Sequence, residues 1–97
     1  MLTKEKITKI LRENYPYLSS EYGVRRIGFF GSFAKDMPTE SSDVDIVVNL
    51  GKPDFLALIG IKQALEEQLH HPVDIVRYRD NMNKYLKQRI DNEAIYV

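Results

Sequence analysis

Apolar residues recur at Ile7, Ile10, Leu11, Tyr15 and Leu18, the spacing of one helix face. They predict a helix from Thr3 to about Leu18, with Thr3 as its N-cap. Pro16 falls inside the pattern, so the helix is expected to end or kink near Asn14 or Tyr15. Ser19 to Gly23 reads as a turn. Val24 to Phe30 is then a strand, in which Gly28 permits close backbone approach. Ser32 to Asp36 reads as a short helical turn and Met37 to Ser42 as a polar loop. Val44 to Leu50 is a second strand, apolar on both faces at Ile46, Val47 and Val48, as a covered central strand should be. Gly51 to Asp54 breaks the chain, and Asp54 is placed to cap a helix from Phe55 to His70. Its buried stripe is Phe55, Leu58, Ile61, Leu65 and Leu69. His71-Pro72 stops it. Val73 to Tyr78 is a third strand. Met82, Tyr85, Leu86, Arg89 and Ile90 mark a last helix, and Ala94 to Val97 a short extended tail.

The order helix, strand, short helix, strand, helix, strand, helix predicts an α/β (α+β) domain. A small mixed three-stranded central sheet would be flanked by helices. The short loop between the first two strands suits an antiparallel pair, and the helical crossover before the third favours parallel pairing there. The 97 residues allow one domain, spanning 1–97.

Composition narrows the partners. Lys+Arg and Asp+Glu both number 14, giving a formal net charge of +0. A protein built to grip a nucleic-acid backbone shows a basic excess, so no direct nucleic-acid binding is expected. The chain has 0 cysteines, which excludes a disulfide framework, a zinc thiolate site and a thiol nucleophile. The first residues lack a signal-peptide core, and no run is long enough to span a membrane. A reducing cytoplasm is the simplest home.

The candidate chemistry lies between the first two strands. Gly31-Ser32 follows the first, and Asp43-Val44-Asp45 opens the second after ten intervening residues. Strand residues alternate faces, so Asp43 and Asp45 should point the same way. Two adjacent carboxylates repel unless a cation lies between them, and hard oxygen ligands suit Mg²⁺. The Gly-Ser turn would offer backbone N–H groups and a hydroxyl to phosphate oxygens, helped by a following helix N-terminus. A third carboxylate, Asp74, stands in the otherwise apolar run Val73-Asp74-Ile75-Val76. Buried there alone it would cost several kcal/mol, on the order given by transfer data. If the second and third strands are neighbours, Asp74 lies beside Asp43 and Asp45. Three carboxylates could hold two Mg²⁺ ions, with Asp74 the best candidate for general base.

A Gly-Ser turn, an Asp-x-Asp at this spacing and a later Asp in an apolar strand resemble the DNA polymerase β-type nucleotidyltransferase superfamily. The length and the ending Glu93-Ala94-Ile95-Tyr96 look like its smallest branch, the minimal nucleotidyltransferases. That branch includes the MntA-like antitoxins of HEPN/MNT toxin–antitoxin pairs, which are protein adenylyltransferases. The resemblance implies that Gly31 and Ser32 bind the triphosphate and that Asp43, Asp45 and Asp74 form the metal-binding, catalytic triad. It further implies ATP as substrate and transfer of AMP to a tyrosine hydroxyl of a HEPN-type toxin. Family members commonly read Gly-Ser-x-Ala-Arg-Gly. Here Lys35 keeps the positive charge for phosphate without the bidentate geometry of Arg, and Asp36 replaces a Gly and brings a negative charge near the phosphates. Little chain remains beyond the nucleotide core, so another protein is expected to present the acceptor.

Two other readings stand beside this one. The altered Lys35-Asp36 pair favours an antitoxin acting by contact alone, with a degenerate nucleotide site. Adenylyl transfer to a small molecule needs a pocket that this length hardly provides except across a homo-oligomer interface. Elsewhere, Asp74 could simply pair with Arg25, Arg26 or Arg77. His70-His71 reads as a solvated helix end rather than a metal site, because adjacent residues diverge and no Cys or further His completes a set. Lys4, Lys6, Lys9 and Arg12 read as the polar face of the first helix.

Overall fold

The computed structural model describes residues 2–39 and 41–97. Glu40, assigned above to the polar loop, lies outside the described residues. Helix α1 spans Lys4–Tyr22 and begins as expected, with the Thr3 side chain accepting from the Lys6 N–H. It does not end near Tyr15. The helix runs through Pro16 for another turn and a half and stops at Gly23, whose φ of 72° is the left-handed C-cap conformation. Pro16 and Arg12, whose carbonyl loses its partner, both lie on the exposed side, where water can serve that carbonyl. Ile7, Leu11 and Leu18 on the other side are buried, and tertiary packing rather than backbone propensity carries the helix through.

Strands β1 (Val24–Phe30) and β2 (Val44–Leu50) fall where the apolar runs place them. Helix α2 (Phe55–Leu69) is capped by Asp54, which accepts from the Ala57 N–H. Strand β3 (Val73–Arg77) and helix α3 (Lys84–Glu93) follow, the latter capped by Asn83. The residues after Ser32 form a hydrogen-bonded turn rather than a helix. It is closed by Lys35 N–H to Gly31 O at 3.1 Å and Met37 N–H to Ser32 O at 2.8 Å, so no helix N-terminus stands behind the Gly-Ser pair.

The sheet has four strands, not three, in the order β3-β2-β1-β4. The extended tail supplies β4 (Ile95–Tyr96), antiparallel to β1 with Gly28 opposite Tyr96 and Phe29 opposite Ile95. A side chain at Gly28 would put its Cβ 2.6 Å from the Ile95 carbonyl oxygen, so the absence of one is what admits the fourth strand. A two-residue strand carries no periodicity of its own, so sequence pattern alone cannot announce it. The remaining pairings are as expected, β1 with β2 antiparallel and β2 with β3 parallel.

Alternation along the strands sorts the two faces. Ile27, Phe29, Val44, Ile46, Val48 and Val73 join Ile7, Leu11, Leu18, Ile61 and Leu65 in the main core, under α1 and α2. Phe30 and Val47 face the other way, into a smaller cluster with Met82 and Ile90 beside α3. Asp45 has the parity of Val47, and Asp74 that of Val76, which packs on the α3 side. The alternation that builds the main core therefore sends both carboxylates to the thinly covered face.

Candidate active site

The site lies where β1 ends and β2 begins. Their antiparallel register sets Phe30 opposite Asp45, and the parallel register of β2 with β3 sets Asp45 opposite Asp74. Asp43 is two positions before Asp45 on the same side and just precedes β2. The three aspartates singled out from sequence are thus brought to one end and one face of the sheet. Asp45 is half-buried, and Asp43 and Asp74 are exposed. The exposure of Asp74 corrects one expectation: β3 is an outer strand, so this carboxylate meets water and no burial cost arises. It does not pair with Arg25, Arg26 or Arg77 either. Among the described residues, no ion pair within 4.0 Å includes Asp74 or Asp43.

Gly31 follows Phe30 with φ of +77°, and a Cβ built there would run into the Asp45 carboxylate. Glycine is required twice over, by the left-handed backbone and by the space beside Asp45. Burial pushes the Asp45 carboxyl above its ordinary 3.8. The charge of Asp74 pushes it the same way, Arg89 opposes, and Asp43 and Glu93 add smaller upward pushes. Negative charge here exceeds what the nearby Arg89 offsets, which makes the cluster receptive to a cation.

The donor set is hard carboxylate oxygen, the chemistry of Mg²⁺, and the lack of a Cβ at Gly31 lets the Asp45 carboxylate lie against the turn. As the side chains stand, no three carboxylate, imidazole or thiol groups among the described residues are close enough to hold an ion. Asp43 and Asp74 are solvent-exposed, so their rotamers can turn toward Asp45 without disturbing the core. The residues fit a divalent ion in kind, and the strand register brings Asp45 and Asp74 side by side.

Lys35 lies in the turn after Ser32, 46% exposed, with its ammonium 3.1 Å from Glu93. Glu93 ends α3 and also accepts from the Gly31 N–H at 3.2 Å. Arg89, one helical turn earlier, has its Nε 3.9 Å from Glu93 and its guanidinium carbon 5.6 Å from the centre of the Phe30 ring. Neither Glu93 nor Arg89 was singled out as a site residue. The Gly31–Glu93 contact spans 62 positions, and no local pattern encodes a contact at that separation.

Asp36 is resolved by its backbone. Its φ is 58°, the left-handed region in which Gly is the easiest residue and Asp is tolerated. The Gly common in the family suits the same conformation. The Asp36 carboxylate turns to Lys4 on α1, at 2.9 Å, and its charge is spent there. His70 is exposed, as expected of a solvated helix end, and His71 is partly buried. Its Nε2 lies 2.6 Å from the Ser42 carbonyl oxygen and its ring stands edge-on to Phe33 at 5.4 Å, steadying the approach to Asp43.

Comparison with known proteins places the whole fold in a family. The family model for the nucleotidyltransferase domain matches residues 4–97. The protein adenylyltransferase MntA of Thermococcus cleftensis is 36% identical over 98 residues, a match covering 100% of this chain and 98% of that protein. A crystal structure of a toxin–antitoxin with AMP-PNP superposes with a TM-score of 0.70 at 29% identity, covering 98% of this chain and 72% of that one. A structure of tri-AMPylated Shewanella oneidensis HEPN toxin in complex with MNT antitoxin gives 0.60 at 28%, covering 96% and 66%. The chain belongs to the nucleotidyltransferase domain family.

Proposed function

We propose that the protein is an adenylyltransferase that moves AMP from ATP to a tyrosine hydroxyl of a HEPN-type toxin and so neutralises it. The observation that carries the reading is the row Phe30–Asp45–Asp74 across three strands, with the Gly31 turn seated against Asp45. It joins a candidate phosphate cradle to a carboxylate cluster of unbalanced charge. The named adenylyltransferase relative and the AMPylated toxin complex support the acceptor class.

In the reaction the acceptor oxygen bonds to the α-phosphorus. The bond from that phosphorus to the oxygen bridging to the β-phosphate breaks, pyrophosphate leaves, and the hydroxyl proton passes to a carboxylate. Asp74 is the candidate for that proton, a reading supported by its exposure on the outer strand, open to an incoming protein side chain. Ser32 and the Gly31 turn orient the triphosphate, and Lys35 supplies positive charge to it. Mg²⁺, held by Asp43, Asp45 and Asp74, would neutralise phosphate charge and lower the pKa of the attacking hydroxyl.

The contact-only reading rested on the altered Lys35-Asp36 pair. The Asp36 carboxylate is turned to Lys4 rather than to the cradle, which removes that half of its ground. The test uses purified protein, Mg²⁺ and ATP labelled on the α-phosphate, with the HEPN-type partner as acceptor. Label should appear on the partner, and be absent with γ-labelled ATP, with EDTA, and in the Asp43→Asn/Asp45→Asn variant. A stable complex with no label from any nucleoside triphosphate would sink the enzyme reading and leave neutralisation by contact.

A further inference from the structure

Gly31 has no side chain to hold it, and in its left-handed conformation its orientation depends on its backbone hydrogen bonds. Its carbonyl accepts from the Lys35 N–H inside the same turn. Its N–H is the group that reaches outside the turn, to Glu93 at 3.2 Å. The Glu93 side chain is only 15% exposed and also receives Lys35 at 3.1 Å and Arg89 at 3.9 Å. A largely buried carboxylate that takes one hydrogen bond and two ion pairs is compensated for its burial and held in place. Its backbone is rigid too. Glu93 closes α3, the Ala94 N–H bonds back to Ile90 O at 2.9 Å, and the next residue, Ile95, is paired with Phe29 of β1. Glu93 is thus held on both sides, by α3 before it and after it by β4, which pairs with β1, the strand that leads into Gly31.

We propose that Glu93 is a positioning residue for the transfer reaction: by accepting the Gly31 N–H it fixes the turn against Asp45 and so sets the phosphate cradle relative to the carboxylate cluster. This rests on the nucleotidyltransferase reading above. Glu93 acts through Gly31 and touches neither nucleotide nor acceptor. The opposite role, an internal anion that the triphosphate must displace, would call for a loosely held side chain rather than one covered and anchored at both ends.

Two variants separate the outcomes. Glu93→Ala removes the acceptor, whereas Glu93→Gln keeps a carbonyl oxygen for the Gly31 N–H and discards the charge. Both are assayed with the HEPN-type partner, and rates are referred to folded protein measured by circular dichroism. Glu93→Ala should lower kcat at least about tenfold, about 1.4 kcal/mol of barrier, with a smaller change in KM for ATP. Glu93→Gln should restore kcat to within about threefold of the parent, as expected when geometry and not charge is the requirement. Independently of turnover, the Gly31 amide should exchange slowly with solvent in the parent and in Glu93→Gln, and fast in Glu93→Ala. Equal kcat in all three, a fall in KM for ATP in both variants, or a Gly31 amide indifferent to Glu93→Ala would overturn the assignment. A parent protein that transfers nothing would instead defeat the functional reading, and the exchange measurement would still decide whether Glu93 holds the turn.

Discussion

Asp45→Asn should make the protein more stable and inactive. The Asp45 carboxyl is held above its ordinary 3.8, by burial first and by Asp74 second. A raised acid binds its proton more tightly in the folded than in the unfolded chain. Its favourable contribution is therefore full below the unfolded value and is lost as pH rises through the folded one. At neutral pH the ionised carboxylate works against folding. Asp45 and Asp74 are opposite each other on adjacent strands, which are spaced about 4.8 Å apart. Two unit charges at that distance repel by about 1 kcal/mol in a water-like medium and about 3 kcal/mol at the effective dielectric of a protein surface. Asp45 is half open to water and Arg89 offsets part of the charge, so after screening the lower figure applies, about 1 kcal/mol. For a domain of this size that is a rise in Tm of about 4–8 °C. The assay is thermal unfolding followed by circular dichroism, in EDTA, at neutral and at acidic pH. The gap between variant and parent should be widest at neutral pH and close as the parent's Asp45 takes up its proton. Mg²⁺ should then raise the Tm of the parent by binding linkage and leave Asp45→Asn nearly unmoved. A variant no more stable than the parent at neutral pH, or a gap that widens on acidification, would refute the reasoning.

Other substitutions probe separate parts of the frame. Gly31→Ala should cost about 1–2 kcal/mol for its left-handed backbone alone, shift Asp45, and abolish label transfer, as read by urea unfolding beside the α-labelled assay. Gly28→Ala should push Ile95 off β1 at a cost of about 1–3 kcal/mol, the usual range for overpacking, and speed amide exchange at Tyr96 before exchange in β2. Asp36→Gly exchanges relief of backbone strain for loss of a surface ion pair worth about 0–1 kcal/mol, so transfer should stay within about twofold of the parent; a large drop would show that Asp36 acts in the cradle after all. Pro16→Ala restores a donor inside α1 and should stabilise by about 1 kcal/mol once the looser unfolded chain is counted, checked by the urea midpoint.

What could be read from sequence was whatever one local segment decides. The bounds of β1 and β2 and the caps Thr3, Asp54 and Gly23's place at a chain break are local. So is the pairing of Asp43 with Asp45, which follows from period two. The parallel direction of β2 and β3 was legible because a helix joins them, whereas the nearness of Asp74 to Asp45 was legible only on the condition that these strands are neighbours, and the register came from the fold. Pro16 misled because its cost is local but the packing of Leu18 that outweighs it is not. Asp74 was taken as buried because apolar neighbours alone cannot tell an outer strand from an inner one. Gly28 hinted at a close approach, yet nothing local named Ile95 as the group approaching. Glu93 escaped notice as a site residue for the same reason, since its relation to Gly31 exists only once α3 has folded back across β1.

The exposure of Asp74 bears on a competition. Water is itself a nucleophile toward an activated phosphate, and a transferase succeeds only if its acceptor reaches the phosphorus first. Enzymes of many kinds exclude water with a lid of their own. Here Asp74, the carboxylate proposed above for the acceptor's proton, stands exposed on the outermost strand. On that proposal the shield arrives with the acceptor, and the docking partner serves both as substrate and as a wall of the reaction chamber. A hydroxyl delivered without a surface that covers the strand edge would then meet a wet site and compete with hydrolysis.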